Sequence, residues 1–136
     1  MDFKVNTNEI KDTFNQCQSK EESFRALVKI SKTLVRLDTN LKSNSNAVTG
    51  CESQVWLTAE KDKETGLWHF QADSDAKLIR GFLAILLAYV EELNSEQIQQ
   101  LDLLSQLNDL NLEAYLTSSR NNGILAIITR IKELTQ

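Results

Sequence analysis

The stretch from Leu78 to Leu93 constrains the fold more than any other part of the chain. A helix over this stretch would carry apolar side chains nearly all round, at Leu78, Ile79, Phe82, Leu83, Ile85, Leu86, Leu87, Tyr89, Val90 and Leu93. Because such a helix must be buried, we predict that it forms the centre of the core. Gly81 lies within it, where glycine is costly relative to alanine, and this indicates close packing against another backbone. Asp73, Ser74 and Asp75 would begin the helix, with Ser74 as its N-cap.

Two short segments before this helix predict a β-hairpin. Residues 54–60 alternate between polar and apolar side chains, and residues 67–72 alternate again. This period of two is typical of strands. Residues 61–66 between them are polar and end in glycine, as a hairpin connection does. We therefore expect two antiparallel strands, to which residues 47–49 could add a short third one.

Helical periodicity marks the N-terminal part of the chain. Ile10, Phe14 and Cys17 follow the i, i+4, i+7 spacing of one helix face. The S-x-x-E pattern of residues 19–22 is a capping box and predicts the start of a second helix, which we expect to end near Leu37. The face of this helix that packs inward would comprise Phe24, Leu27, Val28, Ser31, Leu34 and Val35.

The C-terminal part of the chain is predicted to be helical as well. Ser95 would cap a helix that breaks around residues 108–111, and a last helix would follow the loop at residues 117–119. Helices at both chain ends, packed against one small antiparallel sheet of two or three strands, give an α+β class. The chain has 136 residues, so we expect one compact domain, residues 1–136.

Composition excludes several classes of function. The net charge is −4 and no basic stripe is present, so the attraction that drives nucleic-acid binding is missing. The N-terminus lacks the apolar segment of a signal peptide. The longest apolar run, residues 82–90, is too short to span a bilayer. We therefore expect a cytoplasmic protein without a membrane partner, in which both cysteines stay reduced.

The sequence around Cys51 is the best candidate for chemistry. Residues 38–49 are rich in Asn, Ser and Thr, which favour turns, and this long polar segment ends at Gly50 directly before the cysteine. Loops of this length are often functional, and a loop mounted on a rigid sheet exposes its side chains. The thiolate is the nucleophilic form of cysteine. An arginine nearby would favour it, and Arg120 at the start of the last helix is a candidate.

Other reactive groups also have structural explanations. His69 lies in the middle of a predicted strand, and a Cys–His hydrolase would need it within hydrogen-bond reach of Cys51. Asp73 and Asp75 resemble paired carboxylates, but beside a serine they are also typical of a helix start. Cys17 is expected in the core, or else acts as a resolving thiol. The sequence has no glycine-rich phosphate loop, and its two cysteines lack the spacing of a cysteine-rich zinc site.

Three motifs resemble those of the SufE family of sulfur acceptors, which includes the CsdE branch. Residues 50–56, Gly-Cys-Glu-Ser-Gln-Val-Trp, look like the family signature G-C-x-S-Q-V-W. Residues 73–76, Asp-Ser-Asp-Ala, are similar to the second motif. Residues 116–123 resemble the third, usually written L-S-P-S-R-x-x-G, although Ser118 replaces the proline. Tyr115 stands where many members carry histidine.

The resemblance implies a SufE/IscU-like fold and a role in sulfur transfer. A SufS- or CsdA-type cysteine desulfurase would use its pyridoxal phosphate to form a persulfide. Cys51 would take the outer sulfur, stimulate the desulfurase and pass the sulfur to a SufBCD-type iron–sulfur scaffold. The chain would need no metal or cofactor of its own and would act as a monomer or homodimer. Asp75 and Arg120 would shape the pocket or contact the desulfurase, while Gln54 and Trp56 would fix the strand under the loop.

Two other functions stay open from the residues alone. One is a stand-alone Cys–His hydrolase or transferase, which requires His69. The other is a noncatalytic binding module that presents the strand of Trp56 to a partner. For the sulfur acceptor, we expect the thiol of Cys51 to withdraw against apolar residues when idle, which limits its oxidation, and to swing out toward the desulfurase.

Overall fold

The computed structural model describes residues 6–136 and confirms the α+β class. The chain forms α1 (Thr7–Asn15), α2 (Lys20–Ser31), β1 (Val55–Lys61), β2 (Trp68–Ser74), α3 (Lys77–Val90), α4 (Ser95–Gln100), α5 (Leu103–Asn108) and α6 (Ser118–Leu134). Short 3₁₀ turns lie at Thr39–Leu41, Asn44–Asn46 and Glu113–Tyr115. The two strands thus lie between helices from the two ends of the chain.

Helix α3 lies at the centre of the core, as its sequence predicts. Its buried residues are Ile79, Gly81, Phe82, Leu83, Ala84, Ile85, Leu86 and Val90. The helix packs closely on α2 at Gly81, where a Cβ atom would lie 2.8 Å from Leu27 Cδ1 and 2.9 Å from the Leu27 carbonyl oxygen. A side chain cannot occupy that space, so the glycine allows the two helices to approach each other.

The hairpin is the predicted antiparallel pair. Its register runs from Val55 opposite Ser74 to Lys61 opposite Trp68, so Trp56 pairs with Asp73. On the other side of β1, Trp56 forms an isolated antiparallel bridge with Ala47. The third strand that the sequence allowed is therefore a single bridge, which ties the polar segment before Cys51 to the sheet.

Helix α3 begins later than the sequence predicts. Asp73 and Ser74 are the last residues of β2, and the helix starts at Lys77 with Ala76 as its N-cap. The prediction of Ser74 as N-cap is therefore wrong. Pairing with β1 continues to Ser74, and this tertiary contact outweighs the local capping preference. The Ser74 hydroxyl instead accepts a hydrogen bond of 3.2 Å from the N–H of Ala76.

Helix α2 begins as predicted and ends early. The Ser19 hydroxyl accepts a hydrogen bond of 3.1 Å from the N–H of Glu22. The helix ends at Ser31, although the periodicity predicted an end near Leu37. The hydroxyls of Ser31 and Thr33 donate to backbone carbonyls three residues back, at 2.5 and 2.6 Å. Such bonds compete with helix continuation and favour an end here.

Three apolar or sulfur-bearing residues lie outside the core positions predicted for them. Phe24 is 44% exposed and Val35 is 73% exposed. Cys17 is partly exposed and donates from its thiol to the carbonyl of Thr13 at 3.3 Å. Because α1 already ends at Asn15, Cys17 no longer lies on the helix face that Ile10 and Phe14 bury.

The region after α3 contains two short helices where the sequence predicted one. Asn94, and not Ser95, caps α4, through a capping box with Gln97. Asp102 then caps α5 by accepting a hydrogen bond of 3.0 Å from the N–H of Ser105. The Lys132 ammonium of α6 donates to the carbonyls of Ile98, Gln99 and Leu101 at the end of α4, at 2.7, 3.0 and 2.5 Å. None of the helices within residues 6–136 is long and apolar enough to cross a membrane.

Candidate functional site

Cys51 lies in the loop that leads from the polar segment into β1, and α6 forms the surface against which it packs. The preceding residue, Gly50, has a φ of +94°, which only glycine adopts without strain. This conformation turns the chain so that Cys51 is half-buried, with its Sγ atom 3.5 Å from the carbonyl oxygen of Gly123. The loop and the first two turns of α6 therefore set the position of the thiol together.

A cleft of about 310 Å³ opens beside the thiol. Its walls come from three segments: the loop after Gly50, the start of α3 and the start of α6. The lining residues are Cys51, Glu52, Ser53, Ala76, Lys77, Leu78, Ile79, Thr117, Ser119, Arg120 and Gly123. The three sequence motifs thus meet at one site, although Cys51 in the first motif and Gly123 in the third are 72 positions apart. Lys77 lies outside the three motifs and was not predicted from the sequence, whereas Thr117 and Ser119 belong to the third motif but had no predicted role in the site.

Burial raises the pKa of the Cys51 thiol above its ordinary value. Removal from water disfavours the charged thiolate, and burial is the only cause of this shift. In this conformation the thiol is therefore protonated at neutral pH and is a poor nucleophile. A thiol with these properties is protected while it rests against α6 and becomes more reactive when it moves into water.

Arg120 lines the same cleft as Cys51, but it does not activate the thiol in this conformation. Its Nη1 atom donates to the carbonyl of Tyr115 at 2.5 Å, and its backbone N–H donates to the Thr117 hydroxyl at 3.4 Å. The side chain therefore folds back onto the turn before α6. The sequence-based hypothesis that Arg120 favours the thiolate finds no support in the pKa of Cys51, since burial alone shifts it.

Asp75 lies beside the cleft and forms hydrogen bonds with the backbone of Gln54, the residue before β1. Its carboxylate accepts a hydrogen bond of 3.0 Å from the N–H of Gln54, and its own N–H donates to the Gln54 carbonyl at 3.3 Å. Asp75 thus extends the pairing of the two strands by one residue toward Cys51. Its side chain is exposed and is not among the residues that line the cleft.

Asp73 is the residue whose importance the sequence did not reveal. It is fully buried, and its carboxylate accepts hydrogen bonds from the Arg36 Nε atom at 2.7 Å and from the N–H of Leu37 at 3.2 Å. The Lys42 ammonium lies 3.2 Å from Oδ2 of the same carboxylate. Burial on its own raises the pKa of Asp73, but these hydrogen bonds and one from Ser74 outweigh burial and lower the pKa. The carboxylate is therefore charged and holds the segment that leads to Cys51.

Lys42 also contacts the sheet below this segment. Its ammonium lies 5.2 Å from the ring centroid of Trp56, within the range of a cation–π interaction. Trp56 is in turn the cross-strand neighbour of Asp73 and the bridge partner of Ala47. The expected role of Trp56, to fix the strand under the loop, agrees with these contacts.

His69 does not belong to the site. It pairs with Glu60, and it lies five positions before Ser74, which is at the end of β2 nearer the cleft. At about 3.3 Å per residue this is about 17 Å. Its Nδ1 atom lies 3.0 Å from a Glu91 carboxylate oxygen, and this hydrogen bond raises the pKa of His69. Within residues 6–136, no cluster of three His, Cys, Asp or Glu side chains is placed to hold a metal ion.

Comparison with known protein families decides what this site belongs to. The sequence profile of the family described as "SufE: Fe-S metabolism associated domain" matches residues 8–135. The chain belongs to the SufE family. The SufE match spans the hairpin, the Cys51 loop and helices α1 to α6, so the predicted resemblance is confirmed over almost the whole chain.

Curated SufE relatives cover a similar length. The sulfur acceptor protein CsdE of Escherichia coli is 33% identical over 132 residues, which are 97% of this chain and 89% of CsdE. A SufE-like protein of Rhizobium etli is 32% identical over 133 residues, 96% of this chain and 90% of the relative. A SufE-like protein of Rhizobium meliloti is 34% identical over 127 residues, 92% of this chain and 91% of the relative.

The SufE fold of this chain also resembles a solved structure. A hypothetical protein from Thermus thermophilus, solved in solution, superposes with a TM-score of 0.75 at 15% identity. The superposition covers 95% of this chain and 92% of that one. At this identity the likeness concerns the fold.

The two departures from the usual third motif have clear positions. Ser118 is the first residue of α6, where Thr117 already supplies the cap by accepting from the N–H of Arg120. Tyr115 donates from its hydroxyl to the carbonyl of Lys20, and its ring lies 6.1 Å from that of Phe24. Tyr115 therefore joins the turn before α6 to α2.

Proposed function

We propose that Cys51 accepts the outer sulfur of a persulfide that a SufS- or CsdA-type cysteine desulfurase carries, and that the chain then passes this sulfur to a SufBCD-type iron–sulfur scaffold. The observation that carries the proposal is the position of the Cys51 thiol. It lies at a cleft built from all three SufE motifs, beside the carbonyl of Gly123. The curated relative CsdE is named a sulfur acceptor protein.

The chemical step needs no acid–base pair on this chain. The Cys51 thiol gives its proton to water, and the thiolate attacks the outer sulfur of the partner's persulfide. A new S–S bond forms at Cys51, the S–S bond of the partner breaks, and the partner's cysteine leaves as a thiolate. No external oxidant or reductant takes part. The pyridoxal phosphate that generates the persulfide belongs to the desulfurase, and we propose no cofactor for this chain.

The resting position of the thiol fits an acceptor that is inactive until it meets its partner. Burial raises the pKa of Cys51 and so protects the thiol from oxidation. Transfer then requires the loop to carry Cys51 out of the cleft toward the partner. We propose that Arg120 and Asp75 act at this contact, and that the protein works in the cytoplasm as a monomer or homodimer.

The alternative functions have less support. The distance of about 17 Å along β2 between His69 and the end of the strand nearer the cleft argues against a Cys–His hydrolase. A module that binds through the strand of Trp56 would use an edge that Ala47 and Lys42 already cover.

A turnover assay tests the proposal. The desulfurase releases alanine from cysteine, and this chain should increase the rate of release because Cys51 removes the persulfide that blocks the next turnover. The Cys51→Ser variant should give no increase, while Cys17→Ser should behave like the unchanged protein. Equal stimulation by the Cys51→Ser variant would exclude Cys51 as the acceptor.

A further inference from the structure

The polar segment between α2 and Cys51 is held at its beginning by one buried carboxylate. Asp73 has no exposed surface, and its carboxylate binds Arg36, the N–H of Leu37 and Lys42. We name this set of four residues the Asp73 clamp. The Asp73 clamp attaches the residues that follow α2, and the beginning of the polar segment, to β2.

The Asp73 clamp is connected to Cys51 by a short chain of contacts. Lys42 lies over the ring of Trp56, and Trp56 pairs with Ala47. The next residue, Val48, is buried and donates its N–H to the Val55 carbonyl at 2.8 Å. Only Thr49 and Gly50 then separate this anchored strand-like stretch from Cys51.

We infer that Asp73 is a positioning residue for Cys51: the Asp73 clamp keeps the loop in the closed position, in which the thiol rests against α6. Charge-assisted hydrogen bonds are stronger than neutral ones, and a buried carboxylate that binds several groups at once restrains all of them. Loss of the negative charge frees Lys42 and Arg36, so the segment before Cys51 opens more often. The consequence for sulfur transfer rests on the proposed function: the clamp sets how often the thiol is available to the partner.

Two variants test the inference by different routes. Asp73→Asn keeps the shape and removes the charge. Lys42→Met keeps the length of the side chain, which is 24% exposed, and removes both the ion pair and the cation over Trp56. Glu91→Gln is the control. Glu91 also joins two elements through one carboxylate, with bonds to His69 and to the N–H of Phe70, but these partners lie in the half of β2 that is further from the Cys51 loop.

The readout is the rate at which iodoacetamide alkylates Cys51 in a Cys17→Ser background. This assay needs no desulfurase, so its result does not depend on the proposed function. We expect Asp73→Asn and Lys42→Met each to accelerate alkylation about tenfold, the change that corresponds to the loss of one hydrogen bond to a charged group. Glu91→Gln should leave the rate unchanged. Hydrogen exchange should increase in residues 38–50 and stay constant in α3, which separates local opening from general destabilisation.

Two outcomes would overturn the inference. The first is a wild-type alkylation rate in folded Asp73→Asn and Lys42→Met proteins. The second is an equal acceleration by Glu91→Gln, which would mean that any loss of stability exposes the thiol. If Asp73→Asn does not fold, the alkylation rate of Lys42→Met alone tests the inference. Faster alkylation together with sulfur acceptance by Cys51→Ser would support the clamp and refute the acceptor role of Cys51.

Discussion

The Sγ atom of Cys51 lies 3.5 Å from the carbonyl oxygen of Gly123, and a Cβ atom on Gly123 would lie at the same distance from Sγ. The closed position of the thiol thus depends on a residue 72 positions further along the chain. This contact, the conformation of Gly50 and the Asp73 clamp each lead to a prediction.

A large side chain at Gly123 should force Cys51 out of its resting place. The Cβ atom of an alanine would make ordinary van der Waals contact with Cys51, at 3.5 Å from Sγ and 3.7 Å from Cβ. The longer side chain of Gly123→Leu would compete with the thiol for the space between α6 and the loop. We expect iodoacetamide to alkylate Cys51 severalfold faster in Gly123→Leu than in the wild-type protein. Gly123→Ala should keep the thiol buried, and its better helix propensity, about 1 kcal/mol, should offset any small adjustment. An alkylation rate equal to that of wild type in a folded Gly123→Leu protein would show that α6 does not hold the thiol.

Replacement of Gly50 by alanine should destabilise the protein more than replacement of Gly66. Both glycines have positive φ, +94° and +74°. Such a conformation costs a side chain about 1–2 kcal/mol. Only Gly50 has a neighbour, since its Cβ atom would lie 3.3 Å from the Cβ of Ala126, whereas no atom lies within 4 Å at Gly66. Urea unfolding of Gly50→Ala and Gly66→Ala measures the difference, and equal losses would mean that the contact with Ala126 is unimportant.

The charge of Asp73 should make the stability of the protein depend on pH in the acid range. The folded state lowers the pKa of Asp73, so its contribution is complete above the unfolded pKa of about 3.9 and disappears as the pH falls through the folded value. The difference in unfolding free energy between wild type and Asp73→Asn should therefore be constant near neutral pH and shrink below about pH 4. Asp62 also has a lowered pKa, but it is present in both proteins and cancels. A difference that stays constant down to about pH 2.5 would contradict the charged state of Asp73.

The pKa of Cys51 should be visible in the pH dependence of alkylation. Burial raises it, so the rate of alkylation in the folded protein should reach half its maximum above about pH 8.5, the value for free cysteine. In urea-unfolded protein the midpoint should return to that value. If the folded midpoint lies below the unfolded one, a positive group, and not burial, controls the thiol.

Arg120 should affect the meeting with the desulfurase and leave the resting thiol alone. Its guanidinium binds the carbonyl of Tyr115, and it does not shift the pKa of Cys51. We expect Arg120→Ala to slow sulfur acceptance severalfold, with an alkylation rate close to wild type in the absence of desulfurase. Arg130→Ala, further along α6, is the control and should change neither rate. Unchanged acceptance by Arg120→Ala would end its proposed role at the contact.

Local patterns predicted those features that depend on neighbouring residues. The burial of α3 followed from its apolar periodicity, and the close approach at Gly81 followed from a glycine inside a helix. The start of α2 at Ser19 followed from its capping pattern. The candidate thiol followed from the polar segment that ends at Gly50, and the three motifs carried the family.

Features that depend on distant residues did not follow from the sequence. Asp73 looked like a helix-start residue because its partners, Arg36 and Leu37, lie 37 and 36 positions away. Local preference likewise suggested Ser74 as a cap, whereas the register with β1 determined its place in a strand. The break between α4 and α5 coincides with the carbonyls that Lys132 binds from α6, a contact that the local sequence does not contain.

The mass of the protein after incubation with a cysteine desulfurase, pyridoxal phosphate and cysteine tests the central claim most directly. We predict a gain of one sulfur atom, located on the peptide that contains Cys51, removed by dithiothreitol and absent from Cys51→Ser. A protein that gains no sulfur, or that carries the sulfur on Cys17, would contradict the assignment of Cys51 as the acceptor.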